Sequence, residues 1–155
     1  MATELQETIL EEEQEAVLEE YLAFLSDDLR FAVSAKYVTE IITSFFTTVL
    51  PRVPSYVKGI FNLRGQVIPI VDARIRMRQT PDDSGDEGKC VIVLNNDAGE
   101  VAIGLLVDGV SHVVNIKEED ILVPPANNRQ ELVNGIVHIG RDDYLILDCE
   151  KLLEN

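Results

Sequence analysis

The sequence predicts a mainly β protein: two pseudo-repeated five-stranded units, each ending in a short helix, curl into barrels that share one core. Three observations carry this. Short runs rich in Val, Ile, Tyr and Phe recur from Tyr21 onward between clusters of Gly, Pro, Asn and Asp, the pattern of strands and tight turns. The chain matches itself at a shift of 76 residues, so that Gly59 falls on Gly135, Ile60 on Ile136, Leu63 on Ile139, Ile70 on Ile146 and Asp72 on Asp148 without a gap. A folded chain of 155 residues buries roughly 70% of its unfolded surface, enough for a real core without disulfide staples.

Taken in order, residues 1–20 are dominated by Glu, Gln, Ala and Leu and read as an acidic tail or weakly docked helix. Their apolar stripe (Leu5, Ile9, Leu10, Val17, Leu18) is broken by Glu13 and Gln14. Tyr21–Leu25 and Leu29–Ser34 flank the turn-prone Ser26-Asp27-Asp28 and predict a hairpin. Ala35–Thr39 reads as a helical turn and Glu40–Thr48, β-branched and aromatic, as extended. After Pro51 and Pro54, Gly59–Leu63 and Gln66–Val71 form two strands around Arg64-Gly65, followed by a short helix over 72–78. Pro81–Gly88 is a loop. The pattern then restarts, with strands at Lys89–Leu94, Glu100–Val107, Ser111–Ile116, Val133–Ile139 and Tyr144–Asp148 and a closing helix from Cys149. Val38-Thr39-Glu40-Ile41 resembles Val110-Ser111-His112-Val113 at a slightly smaller shift. The duplication places one subdomain at about 21–80 and the other at about 89–155, the two intertwined. A sheet of five short strands has exposed edges and one apolar face, and closing into a barrel addresses both.

Charge narrows the function. The formal net charge is −15, and residues 1–20 supply eight Glu without a Lys, Arg or Asp. The other residues still hold 20 acids against 13 bases, which disfavours nucleic acid and anionic lipid as partners. No stretch approaches the roughly 18 apolar residues of a membrane span, so direct membrane insertion is not expected. Cys90 and Cys149 lie far apart and form no disulfide framework or metal motif, which suits a reducing cytosol.

A search for chemistry finds little. Gly85–Lys89 has two residues between its glycines and Cys90 after the Lys, where a phosphate loop needs four and a Ser or Thr. Asp82, Asp83, Asp86 and Glu87 lack the spacing of a calcium loop. His112 and His138 have no ligand-like partner two or four residues away, so no metal or other cofactor is expected. Ser111-His112 is not read as a dyad, because neighbouring strand side chains point to opposite faces. Asp72 and Asp148 stand where a carboxylate caps a helix, and the two cysteines read as small buried hydrophobes. No nucleophile, base and oxyanion site assemble, and the expectation is a protein that is not an enzyme. Arg64 stands apart as a cation between two apolar strands in an acidic protein. It is either an exposed turn residue or a side chain that meets a partner's carboxylate or carbonyl.

Tyr56–Asp72 (YVKGIFNLRGQVIPIVD), followed by Arg74, strongly resembles the signature of the CheW family of bacterial chemotaxis coupling proteins. Val101–Val110 (VAIGLLVDGV), Val38-Thr39-Glu40-Ile41 and the end around Glu150-Lys151-Leu152-Leu153 extend the likeness from about Tyr21 to Leu153. It implies two SH3-like β-barrels with a hydrophobic core between them, within a CheW-like domain over 21–155. It also implies a non-catalytic adaptor, monomeric in isolation, that couples the cytoplasmic tips of chemoreceptors to the CheA histidine kinase. Such a protein is cytoplasmic and is recruited to membrane-associated receptor arrays. By position, Val38, Gly59, Arg64, Gly104 and Gly135 match receptor coupling and Glu40 matches kinase contact. Each glycine also has a purely conformational reading, and Glu40 that of a solvated strand carboxylate. Ala73 departs from the family's usual Leu, residues 122–131 look shorter and different, and the Glu-rich tail lies outside the pattern. The rival readings are a CheW-like adaptor of another system, such as one governing surface motility, and a small-molecule-binding barrel with its ligand in the groove.

Overall fold

In a computed structural model that describes residues 18–77, 88–96, 98–123 and 132–154, both predicted hairpins at the chain's start and middle form, and they set the architecture. The strands are β1 (Leu18–Ser26), β2 (Leu29–Ser34), β3 (Val38–Ile42), β4 (Val57–Leu63), β5 (Gln66–Asp72), β6 (Cys90–Asn95), β7 (Ala102–Val107), β8 (Gly109–Lys117), β9 (Val133–Ile139) and β10 (Asp142–Leu147). Helix α1 (Ala73–Arg76) follows β5 and α2 (Cys149–Glu154) follows β10, with 3-10 turns at Ala35–Tyr37 and Glu118–Asp120. The expected caps are present: Asp72 Oδ1 accepts from Arg74 N at 3.0 Å and Asp148 Oδ1 from Lys151 N at 3.0 Å. The acidic tail up to Val17, the loop at 81–87 and most of 122–131 lie outside the described residues.

Two five-stranded sheets result, ordered β8-β1-β2-β10-β9 and β3-β6-β7-β5-β4. Advancing or retreating every strand by five positions converts one order into the other, so the duplication is a structural pseudo-two-fold. The sheets nevertheless differ from the two halves of the sequence. Hairpin β1–β2 joins β8, β9 and β10, while hairpin β6–β7 joins β3, β4 and β5. Each hairpin lies in the sheet built mainly by the other half. In each sheet the segment that follows one edge strand closes onto the other edge strand. Past β3 the chain reaches β4 at a Thr48–Ile60 bridge, and past β8 it reaches β9 at a Leu122–Ile136 bridge. Both bridges carry two backbone hydrogen bonds of 2.8–2.9 Å.

Alternation along the exchanged hairpins divides the core into three. Tyr21, Ala23 and Ala32 point into the first barrel with Val114, Ile116, Val137, Tyr144 and Ile146. Val91 and Val93 point into the second with Phe61, Ile68, Ile70 and Leu106. The opposite faces of the same strands, with Leu22, Phe24, Phe31, Val33, Ile92 and Leu94, meet in the central core, which Val71, Val107, Leu147 and the α2 residues Leu152 and Leu153 complete. Phe24 and Phe31 stack there with centroids 5.4 Å apart. Strands buried on both faces read as continuous apolar runs, which is why residues 90–94 (CVIVL) carry no polar alternation.

Three sequence expectations need correction. β1 begins at Leu18, inside the region read as tail, because Leu18, Glu19 and Glu20 pair with Lys117, Ile116 and Asn115 of the long β8. The extended segment expected over 40–48 is regular only through Ile42, and Thr48 alone rejoins a sheet. Ser111 and His112 do meet, with Oγ 2.6 Å from Nδ1. β8 has an extra residue there, since Leu22 pairs Val113 but Phe24 pairs Val110, and a bulge suspends the alternation on which the expectation rested. Both residues are solvent-exposed.

Phe31 is fully buried, so Phe31→Ala should lower unfolding stability by about 3–5 kcal/mol in chemical denaturation. Phe46 is 93% exposed, so Phe46→Ala should stay within about 0.5 kcal/mol of the native chain. Burial, then Glu19, pushes the Tyr21 phenol up from its ordinary 10.0 to about 12. Its neutral form is therefore favoured by folding, and stability is lost as pH rises from the lower value through the upper one. Ultraviolet titration should show a tyrosinate forming near pH 12 that Tyr21→Phe abolishes.

Candidate functional site

Barrel closure through the Thr48–Ile60 bridge brings the two edges of the second sheet, β3 and β4, within side-chain reach, and two of the singled-out residues meet across that seam. Arg64 occupies the two-residue turn between β4 and β5 with φ 52°, and Gly65 follows at φ 85°. Two consecutive left-handed residues make the primed hairpin turn whose twist matches the flanking strands. Asn62 Oδ1 accepts from Gly65 N at 2.8 Å and holds the turn. On β3, Val38 pairs Leu94 and Glu40 pairs Val93, so Thr39 is an inserted bulge residue that re-aims the strand beyond it. Arg64 Nη1 donates to Glu40 Oε2 at 2.7 Å. The carboxylate that Arg64 meets within this chain is thus its own, 24 residues away.

That ion pair contributes little to stability. The Arg64 side chain is 77% exposed, and exposed pairs are worth about 0–1 kcal/mol. It orients two charges at a surface instead. Val38 lies just behind, half-buried against the central core.

The glycines have separate settings. Gly59 has φ 154°, and a Cβ there would land on the Thr48 carbonyl oxygen and 2.7 Å from Thr47 Cγ2. Gly135, its pseudo-equivalent, meets Ile121 Cγ2 at 2.6 Å and Leu122 O at 2.7 Å on the same terms. Both let the crossing segment approach and close a barrel. Gly104 instead faces the interior of the second barrel, where a Cβ would sit 2.6 Å from Val91 Cγ1 and 3.2 Å from Phe61 Cε1. Val38, Glu40, Gly59, Arg64 and Gly104 therefore share the second barrel, Glu40 and Arg64 in contact, while Gly135 is on the first.

Sequence reasoning missed the apolar surface beside this pair. Ile41, Phe46, Val49 and Val67 are exposed, and Phe46 and Val67 line a concavity of about 440 Å³ together with Ile42, Phe45, Phe61 and Leu63. The adjacent Phe45 and Phe46 were a usable signal, since neighbours on an extended segment cannot both face inward. A related exposed patch, Val113, Leu122 and Val123, stands at the seam of the first barrel.

The remaining polar groups among the described residues are dispersed. His138 pairs with Asp143 across the β9–β10 hairpin, a partner five residues away and directly opposite in register. Burial pushes the Cys90 thiol up, which suppresses the nucleophilic thiolate, and Cys149 is also buried. Among the described residues no three His, Cys, Asp or Glu side chains group to hold a metal ion, and no helix is long and apolar enough to cross a membrane. Two closed barrels with an oriented charge pair and exposed apolar rims are equipped to hold proteins.

Comparison with known proteins agrees. The chain is 33% identical over 144 residues to the chemotaxis protein CheW of Klebsiella aerogenes, covering 91% of this chain and 85% of that one. It is 31% identical over 132 residues to the CheW of Treponema pallidum, covering 81% and 76%. With protein FrzA of Myxococcus xanthus it shares 28% identity over 140 residues, covering 88% and 86%. The crystal structure of the scaffolding protein TtCheW from Thermoanaerobacter tengcongensis superposes with a TM-score of 0.75 at 25% identity, over 83% of this chain and 88% of that one. The CheW-like domain model matches residues 20–155, nearly all of both barrels, and the chain with its interlocked barrels and oriented surface charges belongs to the CheW family of non-catalytic chemosensory scaffolds.

Proposed function

We propose that this chain couples the cytoplasmic tips of chemoreceptors to the CheA histidine kinase, and that the second barrel's seam is where the two contacts meet. The Glu40–Arg64 ion pair at 2.7 Å carries the proposal. An exposed Arg pre-aimed by its own carboxylate is presented at low entropic cost to a partner's carboxylate or carbonyl. Glu40, Arg64's partner, is the expected kinase contact. The two sites are therefore electrostatically linked, and binding at one alters the charge available at the other. Val38 supplies apolar area, and Gly59, Gly104 and Gly135 contribute by keeping the barrel surfaces in shape. The protein is cytoplasmic and reaches the membrane through the receptors it binds. The likeness to protein FrzA supports a second reading, the same adaptor logic in another chemosensory array.

The test is co-sedimentation with receptor signalling-tip fragments and with CheA, comparing the native chain with Arg64→Glu. The native chain should pellet with both. Arg64→Glu, which places two carboxylates together at an exposed position, should stay folded and lose receptor coupling by about tenfold or more, equivalent to about 1.4 kcal/mol. Native binding that Arg64→Glu leaves intact would remove Arg64 from the receptor site. A folded native chain that binds neither fragment would defeat the proposal and favour the second reading.

A further inference from the structure

The exchange of hairpins leaves two crossover segments between the barrels, and each is gripped by the helix that ends the other repeat. The crossover from β7 to β8 is Asp108. Its Oδ2 accepts from Arg74 Nη2 of α1 at 2.6 Å and from Asp27 N, in the β1–β2 turn, at 2.7 Å. Asp108 N donates to Leu25 O at 2.9 Å. One residue thus ties an element of the second barrel, α1 after β5, to the tip of a hairpin in the first. Arg74 is buried, and the Arg74 and Asp108 side chains are only 11% and 24% exposed. At the other crossover, Ala35–Tyr37 from β2 to β3, Tyr37 Oη donates to Glu150 Oε1 of α2 at 2.8 Å, and the Tyr37 ring is buried in the central core. Tyr37 and Glu150 line concavities of about 220 Å³ and about 510 Å³ there.

The two junctions are therefore unequal. Two opposite charges sheltered from solvent, with a second donor on the same oxygen, resist displacement more than a hydrogen bond in which only the acceptor is charged. We propose that Asp108 is a positioning residue: held by Arg74 and Asp27, it sets the angle between the barrels and so the spacing of the partner faces. Its bearing on signalling rests on the adaptor reading above, while the control of the angle does not. Asp108 need touch no partner, and its loss acts on simultaneous engagement rather than on either binary contact.

Double electron–electron resonance between nitroxides at Glu100→Cys and Arg141→Cys, exposed turn positions on different barrels, reads the angle directly in the full chain. Asp108→Asn keeps an oxygen acceptor but removes the charge, and Tyr37→Phe removes the other grip. The expected result is a narrow native distance distribution that Asp108→Asn broadens or shifts clearly more than Tyr37→Phe does. Binary binding of kinase and receptor fragments should stay within about threefold, while receptor control of kinase activity falls at least about tenfold. An unchanged distribution in Asp108→Asn, or equal broadening by Tyr37→Phe, overturns the assignment even if the native chain binds no partner. Loss of both binary affinities by the same factor as the coupling also overturns it, as the mark of general destabilisation. If Asp108→Asn does not fold, Arg74→Lys, which keeps the charge, is measured in the same way. It must move the distribution for the assignment to stand.

Discussion

The structure depends on one constraint, the exchange of the β1–β2 and β6–β7 hairpins between the repeats. Because each exchanged hairpin is apolar on both faces, it fills a barrel on one side and the shared central core on the other. Leu22 and Phe24 face the centre while Tyr21 and Ala23 face the first barrel, and Ile92 and Leu94 alternate with Val91 and Val93 in the same way in the second. Neither half of the sequence holds the strands of a complete sheet. Burial of both faces is the dominant favourable term, and it can be gained only when the halves are assembled together.

From that constraint the surface follows. An exchanged hairpin forms the sheet interior, so the strands left at the edges are β3 and β4 in one barrel and β8 and β9 in the other. Exposed edges invite pairing with other chains, and both barrels remove part of that hazard by crossing the seam at Thr48 and Leu122. The crossings require Gly59 and Gly135. Bulges at Thr39 and at Ser111-His112 lie on the equivalent edge strands. They release the outer side chains from strict alternation, which lets Glu40 reach a turn on the far edge. Surface chemistry useful for binding thus sits where the fold solves its own closure problem.

Much of this was legible in the sequence wherever a local rule governed it. Asp72 and Asp148 read as caps because capping needs only a carboxylate ahead of a helix, and both cap. Gly59 and Gly135 matched at one shift because the same close crossing occurs twice. Which strands are exchanged between the intertwined halves was not legible, since an apolar run such as residues 90–94 satisfies either sheet equally well. The contact of Glu40 with Arg64 was hidden for a related reason, because it depends on which edges meet. Glu19 and Glu20 looked like tail until β8 proved long enough to pair them. Glu19 then accepts from Ser34 Oγ at 2.6 Å and from Tyr21 Oη at 3.2 Å. Bulges carry no sequence mark here, so Ser111 and His112 were read by a periodicity that fails at that point. The roles of Val38, Glu40, Arg64 and the three glycines toward partners came from family resemblance, and geometry adds only where each one sits.

Sharing one central core makes the two barrels a single cooperative unit. Differential scanning calorimetry of the full chain tests it most directly. A single endotherm whose calorimetric and van't Hoff enthalpies agree is expected, because unfolding either barrel strips one side from the shared central core. Two separable transitions, or a calorimetric enthalpy well above the van't Hoff value, would mean that the barrels melt independently and would contradict it.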